Sequence, residues 1–191
     1  MPLTLFSQII IGFWIVFMLY WLISAFNVKK TLISGNWKKG IIFRLVLVLL
    51  LIAVFSRPEA RIYLREHAFS EASLAFGLVG LAVCSAGIAL AVWARIYLGR
   101  NWGSPMSVKE NPELITTGPY KYIRHPIYSG FLLAIRGSYL ASGLIWLIIL
   151  VITSPYFIYS SLMEDGQMEK QFGEKFLDYK RKTKLLIPFI F

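Results

Sequence analysis

The chain reads as an all-α integral membrane helical bundle of about five transmembrane helices, the last two forming a hairpin, with a C-terminal amphipathic helix at the interface. Three observations predict this. The 191 residues are 57% hydrophobic and 16% charged, against about a quarter charged in soluble domains. Several apolar runs approach or exceed the roughly 20 residues a spanning helix needs. The charges, which sum to +10, sit mainly between those runs. A soluble chain of this composition would expose apolar patches that water-soluble monomers avoid. Its basic excess reads as attraction to anionic lipid headgroups. Because the basic residues lie beside apolar runs, nucleic acid is not the expected partner. No obligate protein partner is evident, and the length suits one domain, 1–191.

The first span, Leu3 to Phe26, contains no charge. It is too long for a signal-peptide core and lacks a basic segment before it, so it reads as a retained anchor. The second, Ile41 to Ser56, is short and apolar apart from Arg44, which lies within a turn of its start and can snorkel to the headgroups. The third, Ala72 to Ala94, is rich in glycine, alanine and serine, which let helices approach closely. It contains the single cysteine, Cys84, which reads as a small apolar side chain; no disulfide and no metal site are expected. A long polar segment, Arg95 to Pro126, follows, and its length suggests a functional loop. The run from Ile127 to Met163 is too long for one straight span. It is either one tilted helix or a hairpin turning within Gly137 to Gly143. The tail after Met163 repeats Phe172, Phe176 and Tyr179 at helical spacing, which predicts an amphipathic helix lying on the membrane face.

Loop charge favours the hairpin. Asn27 to Gly40 has four lysines and no acid, the loop after the second span is balanced, and the third loop and the tail are again basic. The positive-inside rule then puts the first and third loops and the tail in the cytoplasm and the N-terminus outside. The tail returns to the cytoplasm only if Ile127 to Met163 crosses twice.

Turn and charge chemistry converge on "TTGPYKYIRHPIYSG", Thr116 to Gly130. Gly118-Pro119 marks a turn. His125 precedes a proline and is biased away from helix, and Pro126 suits the first turn of the next span. Arg124 and His125 therefore sit at a membrane-surface helix start, whose unpaired N–H groups can hold an anion. The plain alternative is an interfacial anchor belt of tyrosine and arginine, which leaves the coincidence of turn, histidine and arginine unexplained.

"ELITTGPYKYIRHPIYSG" resembles the signature of the isoprenylcysteine carboxyl methyltransferase family and its phospholipid methyltransferase relatives. The matching positions are Leu114, Gly118, Pro119, Tyr120, Arg124, His125, Pro126 and Tyr128, with Ile115 in place of a valine. Upstream, Arg95, Leu98 and Gly99 resemble the family's Arg-x-x-Leu-Gly element. Downstream, Glu164, Asp165, Phe172, Gly173 and Tyr179 resemble its paired acids and tail. The resemblance implies three N-terminal spans in 1–94 and a cofactor-binding catalytic core in 95–191. It implies an integral membrane enzyme that transfers a methyl group from S-adenosylmethionine to a small lipophilic acceptor, an isoprenoid-type carboxylate or a lipid headgroup, the cofactor arriving from the cytoplasm and the acceptor from the bilayer.

By the same resemblance, Leu114, Ile115, Gly118, Tyr120, Arg124, His125 and Tyr128 line the cofactor pocket with Glu164 and Asp165. Arg124 or the helix start beside it faces the methionine carboxylate. The acids meet ribose or amine groups or balance the sulfonium, with Glu164 in a catalytic role. Without the resemblance, the acids would read as N-terminal charges on the tail helix. Carboxyl-methylating relatives commonly carry arginine where this chain has Ser160, histidine where it has Pro112, and glutamate where it has Asp165. Arg136, eleven residues after His125 and so on nearly the same helical face, is the candidate to replace that arginine as a catalytic residue. Its alternative is snorkelling or pairing with a carbonyl. Two other classes stay open: an NADPH-dependent reductase of the membrane sterol-reductase type, which shares a His-Pro-x-Tyr segment and an "IPFIF"-like end, and a non-catalytic membrane scaffold.

Overall fold

The computed structural model describes residues 4–26, 28–33, 72–103 and 108–188, with a few positions between 53 and 68. Five α-helices carry the described fold: α1 (Leu5–Ala25), α2 (Leu74–Leu98), α3 (Pro126–Ser142), α4 (Leu144–Phe172) and α5 (Glu174–Lys182). Two short strands, β1 (Thr31–Ile33) and β2 (Val108–Lys109), pair antiparallel outside the bundle. The expected second span, with Arg44, lies outside the described residues.

Helices α1, α2 and α4 are each long and apolar enough to cross a membrane. The bundle is that of an integral membrane protein. Thr4 caps α1 by accepting from the Ser7 N–H at 3.2 Å, and Ser73 accepts from Phe76 at the start of α2. Helix α3 opens on Pro126 as its first residue and closes at Gly143, whose φ of 107° lets α4 begin at once in a new direction. The expected hairpin is therefore present, with its turn confined to Gly143. Gly137, at the other end of the expected turn region, lies inside α3.

The tail differs from expectation. Helix α4 does not end at the membrane: it runs on to Phe172, and Glu164 and Asp165 lie in its interior. They are not N-terminal charges of a tail helix. At 1.5 Å per residue, Glu164 stands about 30 Å along α4 from Leu144, roughly the thickness of the hydrocarbon. The separate tail helix, α5, starts only after Gly173, whose φ is 54°. Its apolar face packs against the protein. Phe176 is 2% exposed, and Tyr179 donates to the Tyr120 carbonyl at 2.7 Å. An apolar stripe every third or fourth residue satisfies a protein surface as well as a bilayer, and here the protein surface takes it.

Helices α2 and α3 form the closest pair. Gly80 and Gly87 on α2 face Gly130, Ala134, Gly137 and Ala141 on α3 so closely that a Cβ on any of these glycines would strike the opposing backbone. Helix α1 joins through polar contacts: Trp14 Nε1 donates to Ser138 Oγ at 2.9 Å, and Ser142 Oγ donates to Ser7 Oγ at 2.8 Å. Such interhelical bonds contribute about 0.6–2 kcal/mol each. Outward-facing Leu19, Leu22, Leu78, Val79 and Val151 are exposed to the surroundings as lipid-facing residues are.

Gly137→Val should therefore force α2 and α3 apart, costing about 1–3 kcal/mol as overpacking does. The measurement is the unfolding midpoint in detergent. Gly12→Ala, where a Cβ meets nothing within 4 Å, is the matched control and should leave the midpoint in place.

Candidate functional site

The C-terminal ends of α1 and α2, the start of α3 and the outer third of α4 gather at one end of the bundle. Arg95 Nη2 donates to the Ser24 carbonyl at 2.5 Å, tying α2 to the end of α1. Between α2 and α3 the chain forms a 3-10 turn at Gly118–Lys121 with Pro119 buried at its start. Gly118 has φ 60°, and a Cβ there would strike the Tyr97 ring. Gly118 thus shapes the turn and is not part of the cavity wall. His125 is the N-cap of α3 at φ −125°, ψ 59°, outside helical geometry.

The centre of the site is an ion-paired cluster. Arg124 Nε donates to Asp165 Oδ2 at 2.9 Å, and His125 Nε2 lies 2.9 Å from Asp165 Oδ1. His125 Nδ1 is 3.4 Å from Glu164 Oε2, and the Tyr128 hydroxyl donates to Glu164 Oε1 at 2.6 Å. The His125 and Tyr128 rings stack 5.7 Å apart, and Tyr128 stacks on Phe157 at 4.9 Å. Both Asp165 oxygens are engaged and its side chain is 5% exposed; Glu164, at 21%, keeps part of its carboxylate open.

The chain after α5 completes the cluster. Arg124 Nη1 donates to the Thr183 carbonyl at 2.6 Å. The backbone N–H groups of Arg124 and His125 donate to the Lys184 and Leu185 carbonyls at 2.8 and 3.2 Å, and Ser129 Oγ donates to the Leu186 carbonyl. The segment lies parallel to residues 122–125, with Ile123 bridged to Lys184.

Over this cluster opens a cavity of about 150 Å³. Leu114, Ile115 and Tyr120 line one side, and Arg124, His125 and Tyr128 line it with Glu164 and Asp165. Trp102 and Phe176 also line it, and sequence reasoning missed both as site residues. The spacing of Phe176 and Tyr179 was visible but read as a stripe facing the membrane. Arg95 holds its guanidinium 4.9 Å over the Trp102 ring, in cation–π range. Ser160 is fully buried on α4, and its hydroxyl has no hydrogen-bond partner among the described residues.

Arg136 is not brought to the site. It is exposed on α3 and is not a lining residue. Counting eleven residues from His125 assumed that both lie on one helix. His125 precedes the helix, so its side-chain direction does not follow the 100° step. From Tyr128, which is helical, Arg136 is about 80° round the axis.

Burial lowers the affinity of His125 for a proton, but hydrogen bonds and charge from Asp165 and Glu164 more than reverse this and raise its pKa. Burial, with Tyr179 and Glu164 nearby, pushes the Tyr120 phenol well up and keeps it protonated.

The family model described as phospholipid methyltransferase matches residues 76–175. Among characterised proteins, the chain is 29% identical over 121 residues to the nickel-cobalt-cadmium resistance protein NccN of Alcaligenes xylosoxydans xylosoxydans, covering 62% of this chain and 51% of that protein. It is 27% identical over 115 residues to protein-S-isoprenylcysteine O-methyltransferase B of Arabidopsis thaliana, covering 58% of each. The chain thus spans little more than half the length of these relatives. A solved structure of a eukaryotic intramembrane Ras methyltransferase, an isoprenylcysteine carboxyl methyltransferase, has a similar fold, with a TM-score of 0.53 and 21% identity over 83% of this chain and 55% of that one.

The His125 cluster sets a pH dependence. Its folded-state pKa lies above the ordinary value of about 6.5. The stability it contributes is therefore fully present below about pH 6.5 and lost as pH rises through the folded-state pKa. Histidine NMR should give a His125 midpoint above 6.5, and Asp165→Asn should lower it. A midpoint unchanged in the variant contradicts the cluster.

Proposed function

Because the chain belongs to the phospholipid methyltransferase family, we propose that it transfers a methyl group from S-adenosylmethionine to a small lipophilic acceptor at the cytoplasmic membrane face. The observation that carries this reading is Glu164: a carboxylate held by Tyr128 and His125, partly open, in a cavity at the edge of the apolar spans. The lining fits the cofactor's chemistry. Glu164 offers negative charge to a sulfonium, and Trp102, Ile115 and Phe176 offer an apolar and aromatic surface to an adenine. Arg124 Nη2 makes no hydrogen bond among the described residues and suits a carboxylate. When bound, S-adenosylmethionine supplies a sulfonium-activated methyl carbon open to in-line displacement by an acceptor lone pair.

The protein's part is positioning and exclusion of water. Asp165 orients Arg124 and His125 and is not itself free for a ligand. Arg124, His125, Tyr128 and Glu164 hold the cofactor's polar end, and Leu114, Ile115 and Tyr120 its remainder. Helix α5 covers the cavity through Phe176 and Tyr179. Ile127 and Tyr128 line the cavity from the first turn of α3, next to the apolar spans, which supports an acceptor arriving from the bilayer. With Arg136 outside the cavity and the free Nη2 of Arg124 given to the cofactor's carboxylate, a lipid headgroup is a better-matched acceptor than an isoprenoid-type carboxylate. The basic first and third loops and tail support a cytoplasmic site, a cytoplasmic C-terminus and an external N-terminus.

Calorimetry in detergent should show S-adenosylmethionine binding, weakened about 10- to 150-fold in Glu164→Gln, the range for a hydrogen bond to a charged group. Mass spectrometry of lipids from cells with and without the protein should show a product heavier by one CH2. Binding of NADPH in place of S-adenosylmethionine would move the chain to the reductases. Binding of neither would favour a scaffold.

A further inference from the structure

Lys29 follows α1 and lies outside the family match at residues 76–175. It reads in the sequence as one more cytoplasmic lysine. In the structure its ammonium has three acceptors: Asn101 Oδ1 at 2.9 Å, the Asn111 carbonyl at 2.7 Å and Glu113 Oε1 at 2.7 Å. Three donors meet three oxygens, so the group is saturated. The backbone repeats the link. Lys29 N–H donates to the Arg100 carbonyl at 2.8 Å, Glu110 N–H to the Lys30 carbonyl at 2.9 Å, and β1 pairs with β2 just beyond.

The partners come from two separate stretches, 99–103 and 108–115. Asn101, Trp102 and Gly103 on the first, and Glu113, Leu114 and Ile115 on the second, line the cavity. They touch each other directly through the Glu113 N–H, which donates to Asn101 Oδ1 at 3.3 Å, a long bond. Asn111 has φ 45°, a left-handed turn asparagine tolerates, and its carbonyl is one of the three acceptors. The Lys29 side chain is 19% exposed and Glu113 66%, so the ammonium is shielded while its acid partner faces water. The hydrogen bond and charge from Lys29 hold the Glu113 carboxyl below its ordinary range. Lys29 itself does not line the cavity.

We propose that Lys29 is a positioning residue for the cavity: it clamps the two stretches that together form one wall of it, acting through Asn101 and Glu113. Clamping matters because the first stretch leaves the end of α2 through a 3-10 turn, Gly99–Asn101, the second is not helical, and a wall ordered only when ligand binds would subtract its ordering cost from the affinity. The ligand named in the test rests on the methyl-transfer reading; the clamp does not.

The test uses the full chain in lipid nanodiscs. In Lys29→Met, hydrogen exchange of the amides in 99–103 and 108–115 should rise about 10-fold or more while the α2–α3 interior is unchanged. The KM for S-adenosylmethionine should rise about 10-fold with kcat within about twofold, as expected for lost ground-state binding. Lys29→Gln, which keeps an uncharged donor, should fall between the two proteins and serves if the Met variant fails to fold. Unchanged exchange in the wall overturns the clamp, and so does a fall in kcat at constant KM. If the wild-type protein binds no S-adenosylmethionine, the methyl-transfer reading fails, while the exchange comparison still decides the clamp.

Discussion

The site depends on one carboxylate. Asp165 accepts from Arg124 on one oxygen and meets His125 on the other, and it does so from the interior of α4, some forty residues along the chain. A buried anion is tolerated only when paired and hydrogen-bonded, and here the pairing joins three pieces of structure. Arg124 and His125 stand at the start of α3, Asp165 on α4, and Arg124 continues to the Thr183 carbonyl beyond α5. Removing the charge would leave the Arg124 guanidinium unpaired beside the His125 ring in a place where it is poorly hydrated. Adjacent Glu164 lines the cavity from the same turn, so the pairing that fixes Asp165 also places it.

That arrangement needs a membrane to set its level. Helix α4 is 29 residues long, about 43 Å, against hydrocarbon of about 30 Å. Its first two-thirds are apolar, and the acids come where the hydrocarbon ends. On the antiparallel neighbour, Pro126 starts α3 at the same height, because a single glycine joins the two helices at the far side. The register that pairs residues 124 and 125 with 164 and 165 follows from the hairpin length. The close α2–α3 contact, made possible by the absence of side chains at Gly87 and Gly137, then keeps α3 from sliding.

Much of the bundle was legible. Charge-free runs marked α1 and α2, the loop lysines required two crossings after Ile127, and His-Pro marked the start of α3. Periodicity was blind in two places. It could not say whether Phe176 and Tyr179 face lipid or protein, since both are apolar phases. It also extended a helical count back to His125, which is not helical, and so carried Arg136 to the wrong side. The partnership of Arg124 and His125 with the acids has no local signature; it reached the sequence reading through family resemblance, and its distances became visible only in the fold. Lys29 was illegible for another reason. A lysine that fixes topology and a lysine that saturates three oxygens are the same letter in the same loop.

The family match covers residues 76–175, yet the cavity is closed from beyond both of its limits. From the N-terminal side, Lys29 holds the wall. From the C-terminal side, Phe176 and Tyr179 cover the space, and Thr183 to Leu186 lie along the start of α3, taking up backbone donors that would otherwise be unpaired near the membrane surface. Inside the match lie residues that line the cavity: Leu114, Ile115, Tyr120, Arg124, His125, Tyr128 and Glu164. Such a division has a physical basis. Groups touching a ligand must keep their identity and spacing, whereas a clamp or a cover need only supply charge or apolar surface from a suitable distance, which many sequences can do. Where an enclosing residue does keep the family's pattern, as Tyr179 does, it makes a specific bond rather than a generic contact: its hydroxyl donates to the Tyr120 carbonyl in the cavity wall.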